Sequence, residues 1–97
     1  MDVIVRGKNV PVPAKLRSAA QRKLGRLERV TRDAVRAEVD FSEERNPRIA
    51  ERHRCAVVVH RPHQLVTAHA VGPAPEAALD RVLDKLRHQV ARRKDHC

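Results

Sequence analysis

EAALDRVLDKLRHQVARRK, residues 76–94, is the stretch from which the fold can be worked outward. Its apolar residues Leu79, Val82, Leu83, Leu86 and Val90 recur at steps of three and four, the spacing of one face of an α-helix. At ~100° per residue, Arg81, Lys85, His88 and Arg92 form a second stripe almost opposite the first. Asp80, Asp84 and Arg87 fall to one side, between the two stripes. The pattern predicts a helix with a face to bury and a separate cationic stripe from which the acids are kept away. A merely solvated helix usually mixes its charges.

A helix with one apolar face needs an apolar surface to cover, and the upstream sequence supplies it as strands. VRAEVDF, Val35 to Phe41, alternates, with Val35, Ala37, Val39 and Phe41 on one side and Arg36, Glu38 and Asp40 on the other. Arg52 to His60 reads as a strand around Cys55-Ala56-Val57-Val58-Val59. Arg61-Pro62-His63-Gln64 turns it into a further strand, Leu65 to Val71, which Gly72-Pro73-Ala74-Pro75 ends. Ser42 to Ala50, containing Asn46-Pro47, is a connection. At the start of the chain, Asp2 to Arg6 is a short β-branched strand. Gly7, Asn9, Pro11 and Pro13 lead from it into a second amphipathic helix, Ala14 to Val30.

That helix buries Leu16, Ala20, Leu24 and Leu27, and it carries Lys15, Arg22, Arg26 and Arg29 as a basic stripe. Lys23 lies near the apolar face and must snorkel. Gly25 is a weak point, costing about 1 kcal/mol against Ala, unless a partner needs close approach there.

The order strand, helix, three strands, helix predicts an α+β fold, β-α-β-β-β-α. The last three strands form an antiparallel meander, and the first strand lies parallel to the second across a right-handed crossover. Both helices cover one face of the four-stranded sheet. The outward basic stripes then line a shared cationic groove.

Ninety-seven residues make a single domain over 1–97, with room for one core. The formal net charge of +9 calls for an anionic partner and salt-sensitive binding. No apolar run reaches the ~20 residues of a membrane span, and MDVIVRGK is no secretory signal. Cys55 and Cys97 make no disulfide framework and suit a reducing cytosol. With one Phe and no Trp or Tyr, the chain is poor in aromatic stacking platforms, and recognition of folded RNA by shape and backbone fits better. His53, Cys55, His60, His63 and His69 include zinc-ligating residue types, but their spacing matches no zinc module. No nucleophile, base and orienting group converge, so no catalytic residue, metal or cofactor is expected.

The residues also resemble a known family, the ribosome hibernation-promoting factors and ribosome-associated inhibitor proteins, also described as sigma-54 modulation proteins. The likeness runs through Val3-Ile4-Val5-Arg6-Gly7, Val10-Pro11-Val12, Lys23-Leu24-Gly25-Arg26-Leu27-Glu28-Arg29 and Ala37-Glu38-Val39-Asp40-Phe41. It continues through Ala77-Ala78-Leu79-Asp80, Asp84-Lys85-Leu86 and Gln89-Val90.

The resemblance implies a domain shaped like the double-stranded-RNA-binding domains. It implies binding to the small ribosomal subunit and its rRNA at the decoding region, in the channel for mRNA and tRNA. The consequence would be inhibition of translation in stress or stationary phase, in a bacterial cytoplasm, by a protein that is monomeric off the ribosome. No membrane or small-molecule substrate is implied. Carried over by position, the rRNA contacts are Lys23, Arg26 and Arg29 on the first helix and Lys85, His88 and Arg92 on the second. The stripes add Arg22 and Arg81.

The sequence departs from the family pattern at His88, where Arg is frequent, at Glu76, where an aromatic is frequent, and at Pro13, where Thr commonly caps the helix. Longer members add a C-terminal domain that pairs ribosomes, and it is not expected in these 97 residues. The alternatives are a general RNA-binding domain without ribosome preference, and a metal-binding or redox protein built on His53, Cys55, His60 and His63.

Overall fold

The computed structural model describes residues 1–29, 31–46 and 48–95, with the side chains of the last helix described as far as Gln89. The elements follow the order β1 (Asp2–Lys8), α1 (Ala14–Leu27), β2 (Arg36–Glu43), β3 (His53–Arg61), β4 (Gln64–Gly72) and α2 (Pro75–Asp95). The sheet runs β1-β2-β3-β4. β1 lies parallel to β2, with Val5 opposite Val39. β2–β3 and β3–β4 are antiparallel, pairing Val39 with Val57 and Val57 with Ala68.

Alternation along the strands makes one face of the sheet apolar. Val5, Ala37, Val39, Phe41, Cys55, Val57, Val59, Val66 and Ala70 are buried there. They share one core with Leu16, Ala20, Leu24 and Leu27 of α1 and with Leu79, Val82, Leu83 and Leu86 of α2. Both helices therefore cover the same face. Burial of an aliphatic side chain contributes roughly 1.5–3 kcal/mol, so these stripes dominate the stability of the domain.

Several boundaries differ from the sequence reading. β1 does not break at Gly7 but pairs with β2 as far as Lys8, and β2 runs on to Glu43. Three further differences have a local reason. α1 stops at Leu27, three residues early. There the buried Thr31 turns back, its amide and its hydroxyl both donating to the Leu27 carbonyl at 3.1 Å. This satisfies a helix-end acceptor without another helical turn. Val35 has the parity of an inward residue but is 60% exposed. It precedes β2, and the neighbouring corner is filled by Thr31 and Ala34 instead. The β3–β4 turn tightens to Pro62-His63, since Arg61 pairs with Gln64. Neither turn residue has a positive φ, and Pro62 pre-sets the first corner. Of the connection read at Asn46-Pro47, Pro47 lies outside the described residues, as does Val30 at the expected end of α1.

Two close approaches fix how helices meet strands. A Cβ on Gly72 would stand 2.8 Å from the Ala78 nitrogen, so only glycine lets β4 run into the first turn of α2. A Cβ on Gly7 would stand 2.3 Å from the Val10 carbonyl oxygen, where the chain reverses through Asn9 at φ 60°.

Both sheet edges are closed by side chains from the helices. On β1, Arg17 Nη1 donates to the Val5 carbonyl at 2.9 Å. On β4, Arg81, Lys85 and Gln89 donate to the carbonyls of Val71, His69 and Thr67 at 2.8, 2.9 and 3.1 Å. Steps of four along α2 thus match steps of two along β4. Unpaired edge groups are templates for unwanted strand pairing, and charged side chains on them suppress it.

Candidate nucleic-acid interface

The helix-bearing side of the domain holds the α1 cations that the sequence singled out. On α1, Arg22 and Arg26 are exposed, as is Arg29 just beyond its end. With Lys15 they face away from the core formed by Leu16, Ala20, Leu24 and Leu27. Lys23 is half-buried, as its position near the apolar face required, and its ammonium is paired with Asp80 of α2. A Cβ on Gly25 would meet nothing within 4 Å, so no neighbour within the chain accounts for this glycine.

The shared groove exists, but α2 lines it with different residues from those expected. Near its start, a cleft of about 680 Å³ is lined by Lys15, Ser18, Arg22 and Lys23 of α1 and by Glu76 of α2. Further along, a cleft of about 300 Å³ is lined by Lys23, Arg26, Asp80, Leu83, Asp84 and Arg87. The α1-facing side of α2 is therefore the one carrying Asp80, Asp84 and Arg87, and Arg87 lies 3.8 Å from Asp84. Arg81 and Lys85 sit on the opposite flank, over the β4 edge.

That flank changes what Arg81 and Lys85 can do. Arg81 divides itself between the Val71 carbonyl and Glu51, at 2.8 and 2.9 Å. A guanidinium has five N–H donors and an ammonium has three. Both residues can thus hold the edge and still present charge, with side chains exposed to solvent. His88 is exposed, with Nδ1 2.9 Å from the Asp84 carbonyl one turn back. The side chains of Val90 and Arg92, and all of Cys97, lie outside the described residues.

The residues weighed for metal binding are dispersed by the strand geometry. His53 and Cys55 point to the helix side of β3, whereas His60 points to the other face and bonds Glu38 Oε2 at 2.8 Å. His63 stands in the β3–β4 turn. Among the described residues, no three potential ligands gather closely enough for a metal ion. Burial raises the Cys55 thiol pKa to about 12, which keeps it protonated and unreactive.

The helix-free face carries an ion network that the sequence did not reveal. Arg6 spans two residues of β2, at 3.2 Å from Asp40 and 3.4 Å from Glu38. The hydrogen bond from His60 is the main cause that lowers the Glu38 pKa from its ordinary value, aided by the charges of Arg36 and Arg6. At the sheet corner, the bond from Arg61 at 3.0 Å does the same for Asp33. Alternation predicted which side these residues take, but their pairing required the strand register.

A mixed four-stranded sheet with both helices on one face is the fold of ribosome-associated modulation proteins. The chain belongs to the Sigma 54 modulation protein / S30EA ribosomal protein family, whose sequence profile matches residues 3–96. A solved structure of a ribosomal subunit interface protein from Coxiella burnetii superposes with a TM-score of 0.86 at 19% identity, covering 98% of this chain and 99% of the other. The Protein Y N-terminal domain of Thermus thermophilus superposes with a TM-score of 0.79 at 29% identity, covering 95% and 98%. No curated protein matches the sequence. Among the described residues, no helix is long and apolar enough to cross a membrane.

Proposed function

We propose that this protein is a non-enzymatic ribosome hibernation factor. It binds the small ribosomal subunit at the decoding region, in the mRNA and tRNA channel, and blocks translation in stress or stationary phase. Its place of action is then the bacterial cytoplasm. The observation that carries this reading is the exposed row Lys15, Arg22, Arg26 and Arg29, which has no ion pair among the described residues, in a member of this family. Cations without internal partners keep their capacity for phosphate, and each contact releases a counterion from RNA.

In this reading, Arg22, Arg26 and Arg29 contact phosphate directly. Lys23 exchanges Asp80 for phosphate or steadies the cleft while Arg26 binds. Arg81, Lys85 and His88 supply charge from the far flank of α2, and Arg92 extends that stripe on sequence grounds.

The test is co-sedimentation with purified small subunits, followed by chemical footprinting of the rRNA and inhibition of cell-free translation. Protection confined to the decoding region, with translation blocked, is the expected result. Equal binding to unrelated folded RNA would instead make the protein a general RNA-binding domain.

A further inference from the structure

The helix-free face of the sheet holds a second basic surface, which shares only Lys85 at its rim with the proposed function. Burial of Cys55, Val57 and Val59 toward the helices turns Arg54, Ala56 and Val58 to the opposite face. In the β3–β4 register Ala56 pairs with His69, and Val58 pairs with Thr67. A hollow of about 430 Å³ opens over these strands, bordered by Arg54, Ala56, Val58 and His69, with Lys85 and Gln89 reaching its rim from α2.

The chemistry of the hollow is one-sided. Among the described residues, no acid lines it. The acids nearest in register, Glu38 and Asp40 on β2, are already held by Arg6 and His60. Ala56 puts only a methyl between Arg54 and Val58 on this face of β3 and so leaves depth there. The imidazole of His69 and the guanidinium of Arg54 are planar groups on which an unstacked base can lie. Gln89 spends its Nε2 on the Thr67 carbonyl, so its Oε1 remains an acceptor, and the Thr67 hydroxyl is both donor and acceptor. Cation, planar surface and polar rim together match one nucleotide better than a bare phosphate or a peptide strand. A peptide would pair with the β4 edge, whose carbonyls are already occupied by Arg81, Lys85 and Gln89.

We propose that this hollow takes one unstacked nucleotide of single-stranded RNA, so that the domain is held between RNA on its helical side and RNA on its sheet side. The proposal rests on the assignment of ribosomal RNA as the partner.

Wild type, Arg22→Glu/Arg26→Glu, Arg54→Gln/His69→Ala and Ala56→Leu are compared for binding to purified small subunits, with circular dichroism to confirm folding. In parallel, Thr67→Cys in a Cys97→Ser background carries a short photocrosslinker; the remaining thiol, Cys55, is buried and protonated. The sheet-face variants are expected to bind about tenfold more weakly, the scale of one stacked base, and the crosslink is expected on an rRNA nucleotide. If wild type does not bind, both readings fall. If only the helix variant loses binding, or if the crosslink reaches ribosomal protein alone, the sheet-face site is overturned and the helix-face reading stands.

Discussion

Replacing Gly25 by Ala separates what α1 needs from what its partner needs. Gly25 lies within the fourteen-residue helix Ala14–Leu27, has no positive φ, and faces open space where a Cβ would stand. The new methyl therefore meets no clash and no strain, and the remaining effect is helix propensity. Glycine costs about 0.8–1.0 kcal/mol against Ala in a helix interior, part of it through the freedom of the unfolded chain. For a domain near 100 residues that corresponds to a rise in Tm of about 4–8 °C. Thermal melts followed by circular dichroism at 222 nm, a wavelength that reports helix, measure it. An unchanged or lowered Tm would refute the reasoning, since the conformation or surroundings of Gly25 would then differ from those described. Binding to small subunits is expected to stay within about twofold of wild type, because the long side chains of Arg22, Arg26 and Arg29 hold the RNA at their tips. A stabilised variant that fails to bind would show that RNA approaches the α1 backbone itself.

Other perturbations probe other parts of the structure. Arg17→Met keeps the apolar stem but removes the donor to the Val5 carbonyl; a loss of about 0.5–1.5 kcal/mol is expected in urea unfolding, with self-association at high concentration as the β1 edge opens. Native Cys55 should resist iodoacetamide at pH 8 and react once the protein is unfolded, since its pKa stands at about 12; rapid native labelling would contradict its burial. Glu38 and Asp33 have folded pKa values depressed below their ordinary values of 4.5 and 3.8. Their stabilisation is full above those ordinary values and is lost as pH falls through the folded ones. The urea midpoint should therefore drop as pH falls below about 4.5, less steeply in His60→Asn, and an identical slope in that variant would contradict the His60–Glu38 link.

Much of the fold was legible because each periodicity had one physical use. Steps of three and four at Leu79, Val82, Leu83 and Leu86, and alternation at Ala37, Val39 and Phe41, each mark a face to be buried, and two helices facing one sheet follow from counting those faces. Parity alone misplaced Val35, because burial also requires something overhead. The basic stripes were legible as residues but not as a surface. Helical angle showed that Arg81 and Lys85 stand apart from Asp80 and Asp84, yet not which flank would meet α1. That depends on the packing of Leu79 and Leu86 over β3 and β4, which brings Asp80 to Lys23 and sends Lys85 to the β4 edge. The sheet-face hollow was illegible for the same reason: Arg54 and His69 are neighbours only through the β3–β4 register.

The central claim is that the outward arginines of α1 hold rRNA phosphates, and its most direct test is the salt dependence of binding to purified small subunits. Arg22→Glu/Arg26→Glu is compared with Arg36→Glu/Arg45→Glu, a pair of exposed sites off both helices with the same change in net charge. Each charge-assisted bond removed is worth about 1.5–3 kcal/mol. The helix variant should therefore bind at least about 100-fold more weakly at low salt, and its logarithmic salt slope should flatten by about one unit for each phosphate no longer held. The control should weaken by less than about tenfold. A helix variant that binds as wild type does, with an unchanged salt slope, would contradict the account.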